Sequence, residues 1–263
     1  LSEAVLSVEN LSLRFGGLTA LSDLSLTLGA GELAGVIGPN GAGKTSLFNV
    51  LTGVYPPSSG RLRAFGRSLD GLKPFEIAAL GVVRTFQNIR LFKELTVLDN
   101  VRAALHAAQA PSLAATLAAR PSAKAAEEAI RARALSLLSR LGLEGRAEER
   151  AGGLPYGEQK RLEIARALAA NPKVLLLDEP AAGMNASESG WLKEAIRSLR
   201  SEFQLSILLI EHDMSVVMDL CERLVVLDHG QKIAEGRPEE VRKDARVLEA
   251  YLGTKKSALR QGA

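Results

Sequence analysis

The chain has 263 residues, 46% hydrophobic and 24% charged, ordinary globular values with apolar material for the core of one large domain or two small ones. A net charge of +3 gives no ground for a nucleic-acid partner, and a single cysteine, Cys221, excludes an intramolecular disulfide framework and suits a reducing compartment. Residues 1–15 carry no basic n-region or apolar h-region and do not read as a signal peptide, and the longest apolar runs, 174–177 and 207–210, are too short to span a bilayer.

In chain order, Leu11, Leu13 and Phe15 alternate with Ser12 and Arg14, which predicts a half-buried strand over residues 4–15. Leu24, Leu26 and Leu28 alternate with Ser25 and Thr27 and predict a second strand at 24–28, with a Gly16-Gly17 turn between the two. The apolar run Leu33–Ile37 suits a buried strand, and Lys44–Leu51 reads as a helix with Leu47, Val50 and Leu51 at helical spacing. Between them, Gly38, Pro39, Asn40, Gly41, Ala42, Gly43, Lys44 and Thr45 fit the phosphate-binding pattern G-x-x-x-x-G-K-[ST], in the strand–turn–helix context that pattern requires. Glycines let the backbone N–H groups wrap phosphate oxygens, and the helix N-terminus adds a positive dipole end. Lys44 is expected to reach the β- and γ-phosphates, Thr45 to ligate Mg²⁺, and Ser46 to complete the nucleotide-binding set.

Residues 56–60 predict a turn, 60–69 a further strand, 74–80 a short helix with Pro74 in its first turn, and 81–86 a strand. From Val97 to Leu141 the chain is rich in alanine, the best helix former, and Pro111 and Pro121 divide it into helices near 97–109 and 123–141. Ile130, Leu135, Leu138 and Leu141 give the second of these an apolar face, so residues 89–170 read as a helical subdomain inserted into an α/β core. The core resumes with strands at 174–177, 205–210, 223–228 and 231–235, helices at 187–201 and 214–220, and helical pieces near 238–252. The polar, basic stretch after residue 254 predicts a flexible tail. Asp178 and Glu179 end an apolar strand, where ligands bind in open α/β sheets, which suits Asp178 to Mg²⁺ and Glu179 to polarising a water beside the γ-phosphate.

Leu154, Pro155, Tyr156, Gly157 and Glu158 open a helix just upstream of the Asp-Glu strand and resemble, in altered form, the LSGGQ signature of ATP-binding cassette (ABC) ATPases. The resemblance covers about residues 4–252. It implies a P-loop NTPase core (RecA-like, α/β) with an antiparallel β subdomain and an inserted helical subdomain. A single ABC ATPase domain would then span 1–254, with core parts 1–88 and 171–254, helical subdomain 89–170, and tail 255–263. It also implies that Gln87 is the Q-loop glutamine on Mg²⁺ and the attacking water, that residues 181–185 form the D-loop, that His212 is the switch histidine on the γ-phosphate, and that Phe15 stacks on adenine. Asp178, Thr45 and Gln87 are then the metal set, and Glu179, His212 and Lys44 the catalytic set. Leu154 to Glu158 would act on the ATP of a partner cassette. There, Pro155 replaces the signature serine, Tyr156 its first glycine, and Asn185 the D-loop aspartate, which predicts an asymmetric heterodimer whose partner supplies a fuller signature.

Finer matches lie at residues 15–21, 83–92, 177–185 and 209–214 and at Ala250-Tyr251-Leu252-Gly253. They resemble the ATP-binding subunits of branched-chain amino-acid importers, which pair two ATPases with two permeases and a binding protein. The expected function is an ATP-hydrolysing import subunit, soluble by itself and held on the cytoplasmic face of the inner membrane by permeases. Urea or amide importers and lipopolysaccharide-type exporters are the alternatives. A DNA-repair or chromosome-structure ATPase would need a long coiled coil between the P-loop and Asp178, and no sustained heptads occur there.

Overall fold

The computed structural model describes residues 4–109 and 123–251. The alternating N-terminal segments form β1 (Ala4–Phe15) and β2 (Leu18–Gly29), longer than predicted for the second. With β4 (Ser59–Ala64) and β5 (Arg67–Ser68) they make a four-stranded antiparallel sheet in the order β2-β1-β4-β5. The single strand expected at 60–69 is two strands, because Phe65 (φ 51°) and Gly66 (φ 75°) turn the chain in the left-handed region.

The second sheet has six strands in the order β10-β9-β3-β8-β7-β6. Its members are β3 (Leu33–Ile37), β6 (Val82–Arg84), β7 (Val174–Asp178), β8 (Ser206–Ile210), β9 (Arg223–Asp228) and β10 (Gln231–Gly236). All neighbours are parallel except β10, which closes one edge antiparallel to β9. Every residue of β3, β7 and β8 is buried, as expected of parallel strands covered on both faces.

Period-two side-chain alternation divides those strands between two cores. Ala34, Val36, Leu176, Leu208, Ile210 and Val225 join the residues of the antiparallel sheet and the buried face of α1 (Lys44–Leu51), Leu47, Phe48, Val50 and Leu51. Leu33, Ile37, Leu175, Leu177, Ile207 and Leu209 face the opposite core. That core contains the helices α3 (Val97–Gln109), α4 (Ala123–Arg140), α5 (Tyr156–Ala169), α6 (Ala186–Phe203) and α7 (Met214–Leu220). The α1 helix is thus clamped between two sheets, which fixes the direction in which its N-terminus points. A side chain such as Phe48, fully buried here, contributes on the order of 3–5 kcal/mol against truncation to alanine.

The helix α2 (Pro74–Leu80) starts with proline at its first position, as the sequence predicts. The α4 helix buries Ile130 and Leu138 as expected and adds Ala134 and Leu137; the expected Leu135 is half-buried, and Leu141 is buried just past the helix end. Pro111 and Pro121, and the tail 255–263, lie outside the described residues. After β10 come α8 (Pro238–Val241) and a helical stretch at 245–251. The predicted strand at 81–86 is Val82–Arg84; Thr85 still donates its N–H to the Leu176 carbonyl of β7 at 3.0 Å, and from Phe86 on the main chain is bound by side chains of α5 instead. Cys221 is buried against the α7 end of the core, and burial pushes its thiol up to about 12, the behaviour of a small apolar group. No described helix is long and apolar enough to cross a membrane.

Candidate functional site

The sheet order sets β3, β8, β7 and β6 side by side with the same polarity, so their C-terminal ends share one edge. Gly38–Thr45 leaves β3, Glu211-His212 leaves β8, Asp178-Glu179 ends β7, and Gln87 follows β6. Residues distant in the chain are therefore neighbours at that edge.

In the loop after β3 two glycines are required by sterics. A Cβ on Gly38 (φ 150°) would lie 2.1 Å from the Leu227 carbonyl oxygen, and one on Gly43 (φ 104°) 2.8 Å from that of Ala20. Gly43 caps α1 without a side-chain hydrogen bond, and no acidic residue lies in the first turn. The first-turn N–H groups, which have no intrahelical acceptors, are thus presented toward an anion. Lys44 is buried, and its Nζ donates to the carbonyl oxygens of Gly38 at 2.7 Å and Pro39 at 2.8 Å. Burial lowers its pKa, opposed by the charges of Glu179 and Asp178.

Glu179 has a left-handed backbone (φ 47°), uncommon for a non-glycine residue, fixed by its N–H on the Ile210 carbonyl at 2.8 Å. Both carboxylate oxygens are held. Gln87 Nε2 donates to one at 3.0 Å, and His212 Nε2 meets the other at 2.6 Å. An ionised carboxylate only accepts, so that bond places the imidazole proton on Nε2. Asp178 is 1% exposed. Its Oδ2 pairs with the Arg84 guanidinium at 2.6 Å, while its Oδ1 is buried without a hydrogen-bond partner. A fixed carboxylate with one unsatisfied hard oxygen fits a Mg²⁺ partner. No described group of three or more His, Cys, Asp or Glu side chains is arranged to hold a metal ion.

The cavity at this edge, about 540 Å³, is lined by Phe15, residues 18–20, residues 40–46, Gln87, Glu179 and His212. Thr45 and Ser46 are among the lining residues. Phe15 is 44% exposed at the cavity mouth, edge-on to Tyr55 with ring centroids 5.1 Å apart, and is not a core residue. None of Leu154–Glu158 lines this cavity. Those residues lie at the start of α5, with Leu154 and Gly157 buried and Pro155 and Tyr156 exposed. Pro155 is the N-cap of α5 and gives it no side-chain bond, where a serine hydroxyl would. Glu158, in the first turn, lies near Arg146 and Arg161. The ring of Tyr156 lies beside Gly183, so the start of α5 and the loop after β7 touch within one chain. Trp191 packs under the Arg161 guanidinium, 4.6 Å away.

Several residues around the site escape motif reading. Arg84 is bracketed by the rings of Phe48 and Phe86 at 5.4 and 5.3 Å and also donates to Asn49 Oδ1 at 2.7 Å. Glu211, buried, accepts from the N–H groups of Ala181 at 2.7 Å and His212 at 3.0 Å, tying the loop after β7 to the loop after β8. Burial raises its pKa, opposed by those N–H groups. The only sequence signal for these residues is a charge where an apolar run ends.

The sequence profile of the ABC transporter family matches residues 21–182. A profile described as "Branched-chain amino acid ATP-binding cassette transporter" matches residues 231–256. The high-affinity branched-chain amino acid transport ATP-binding protein LivG of Salmonella typhimurium is 46% identical over 253 residues, 96% of this chain and 99% of LivG. The lipopolysaccharide export system ATP-binding protein LptB of Haemophilus influenzae is 33% identical over 250 residues, 95% of this chain and 98% of LptB. Among solved structures, the ADP conformation of an ATP-binding cassette of an ABC transporter superposes with a TM-score of 0.83 at 33% identity, covering 96% of this chain and 100% of that one.

Proposed function

The chain belongs to the ABC transporter family, and from that premise we propose that it is the ATP-hydrolysing subunit of an importer for branched-chain amino acids. One observation carries the hydrolytic reading: Glu179 is held between Gln87 and His212 at the rim of the cavity that the phosphate loop lines. The C-terminal profile match and the higher identity to LivG than to LptB favour import of branched-chain amino acids over lipopolysaccharide export.

In this reading residues 38–46 bind the ATP phosphates, and Phe15 meets the adenine. Thr45, Gln87 and Asp178 hold Mg²⁺, which neutralises phosphate charge when bound. Glu179 accepts a proton from the attacking water, its two oxygens kept in place by Gln87 and His212. Lys44 and His212 stabilise charge on the transferred phosphoryl group. Residues 1–88 and 171–254 are the nucleotide core, and 89–170 the helical subdomain that presents Leu154–Glu158 to a second cassette.

The partners are a second ATP-binding subunit, two membrane-spanning permeases and a binding protein, with this chain on the cytoplasmic membrane face. Pro155, which lacks both a hydroxyl and an N–H, supports a heterodimer in which the fuller signature comes from the partner. The test is ATP hydrolysis by the complex reconstituted in proteoliposomes with its binding protein. Leucine, isoleucine or valine is expected to raise turnover several-fold, while urea and short amides leave it at the basal rate. Stimulation by urea alone, or by none of these, would remove the substrate assignment.

A further inference from the structure

Three charged side chains of α5 face the loop after β6, two of them buried and the third, Arg166, half-buried. Lys160 is 2% exposed and Glu163 6%. Neither touches the nucleotide cavity. Lys160 Nζ donates to the main-chain carbonyls of Gln87 at 2.9 Å and Phe86 at 3.3 Å. Glu163 Oε1 accepts from the Phe86 N–H at 3.1 Å, and the Arg90 N–H faces the same oxygen at 3.5 Å. One turn on, the Arg166 guanidinium bonds the Arg90 carbonyl and lies 4.9 Å from the Phe92 ring. Positions 160, 163 and 166 recur at i, i+3 and i+6, one face of the helix. That face grips both the donors and the acceptors of residues 86–90, which have no strand partner. Burying a lysine and a glutamate costs several kcal/mol per ion unless paired, and here the two ions compensate each other through the backbone they hold. Burial lowers the pKa of Lys160 and raises that of Glu163, opposed in each case by the other's charge.

We infer that Lys160 and Glu163 are positioning residues for Gln87: the helix that opens at Tyr156 fixes the main chain of the Gln87 loop, and thereby the amide that holds Glu179. The signature motif rides on the same rigid helix, one turn before Lys160. The inference rests on the reading of Gln87 given above.

The test is a mutant cycle on the assembled ATPase complex with Lys160→Met, Gln87→Ala and the double variant. Lys160→Met is expected to lower turnover at saturating ATP roughly tenfold or more. The Kd for a fluorescent ATP analogue should stay within about twofold, because Lys160 does not line the cavity. The double variant should turn over no slower than Gln87→Ala alone. Lys160→Gln, whose amide can still donate to a carbonyl, should recover part of the loss, and it takes the place of Lys160→Met in the cycle if the methionine variant does not fold. Wild-type turnover in Lys160→Met, or losses that multiply in the double variant, overturn the inference and leave the role of Gln87 standing. Wild-type turnover in Gln87→Ala overturns that role and the inference with it.

Discussion

Glu179→Gln is expected to bind ATP with near wild-type affinity and to lose turnover by about 10²–10³-fold, the usual contribution of a positioned general base. The substitution keeps size and shape, and nothing in the amide prevents the left-handed backbone, which is set by the Glu179 N–H on Ile210. What changes is the donor–acceptor pattern. Both oxygens of Glu179 accept, one from Gln87 and one from His212. An amide has one oxygen and one NH₂, so one of the two neighbours meets a donor instead of an acceptor. The water-orienting carboxylate is lost, while the imidazole of His212 can keep its contact only by moving its proton to Nδ1. Steady-state hydrolysis at saturating ATP, with the Kd of a fluorescent analogue measured in parallel, checks this. Turnover within threefold of wild type would take Glu179 out of the mechanism.

Lys44→Ala acts at the binding step instead. Its ammonium folds back on the loop before α1 and is held by two of that loop's carbonyls, those of Gly38 and Pro39. Removing it deletes a charge-assisted contact to the nucleotide worth about 1.5–3 kcal/mol, which corresponds to roughly 10- to 150-fold in Kd. It also leaves two loop carbonyls without their donor. Both effects weaken affinity, so the Kd should rise by at least tenfold, in contrast to Glu179→Gln. Calorimetric titration separates the variants, and a Kd unchanged in Lys44→Ala would remove the lysine from phosphate binding.

The site residues legible in the sequence by themselves are those whose chemistry is encoded locally. The spacing of Gly38, Gly43, Lys44 and Thr45 contains its own strand–turn–helix context, and Asp178-Glu179 follows an unbroken apolar strand. Gln87 and His212 became legible only through resemblance, since a loop glutamine and a strand-end histidine are chemically unremarked by themselves. Their meeting on Glu179 depends on the order β3-β8-β7-β6, a long-range property that no local pattern carries. Arg84, Lys160, Glu163 and Glu211 were missed for the same reason, because each acts on partners dozens of residues away. Lys160 and Glu163 did leave a trace, being charges on the face of α5 that the helical period assigns to the core. The strand at 60–69 reads as one segment because Leu62 and Ala64 alternate with Arg61 and Arg63 up to the turn, and the turn at Phe65 and Gly66 is a matter of backbone conformation. Phe15 shares the alternation of a core residue yet stands at the cavity mouth, since it ends its strand.

The central claim is that this chain holds one half of a catalytic site and that a second cassette supplies the other. The cavity beside Glu179 is lined by the phosphate loop and not by the chain's own signature residues. The direct measurement is ATP turnover per chain over a hundredfold range of protein concentration, with and without the partner cassette. Turnover per chain is expected to fall toward zero on dilution and to be restored by adding the partner. Turnover per chain that stays constant across the dilution and does not respond to the partner would contradict it.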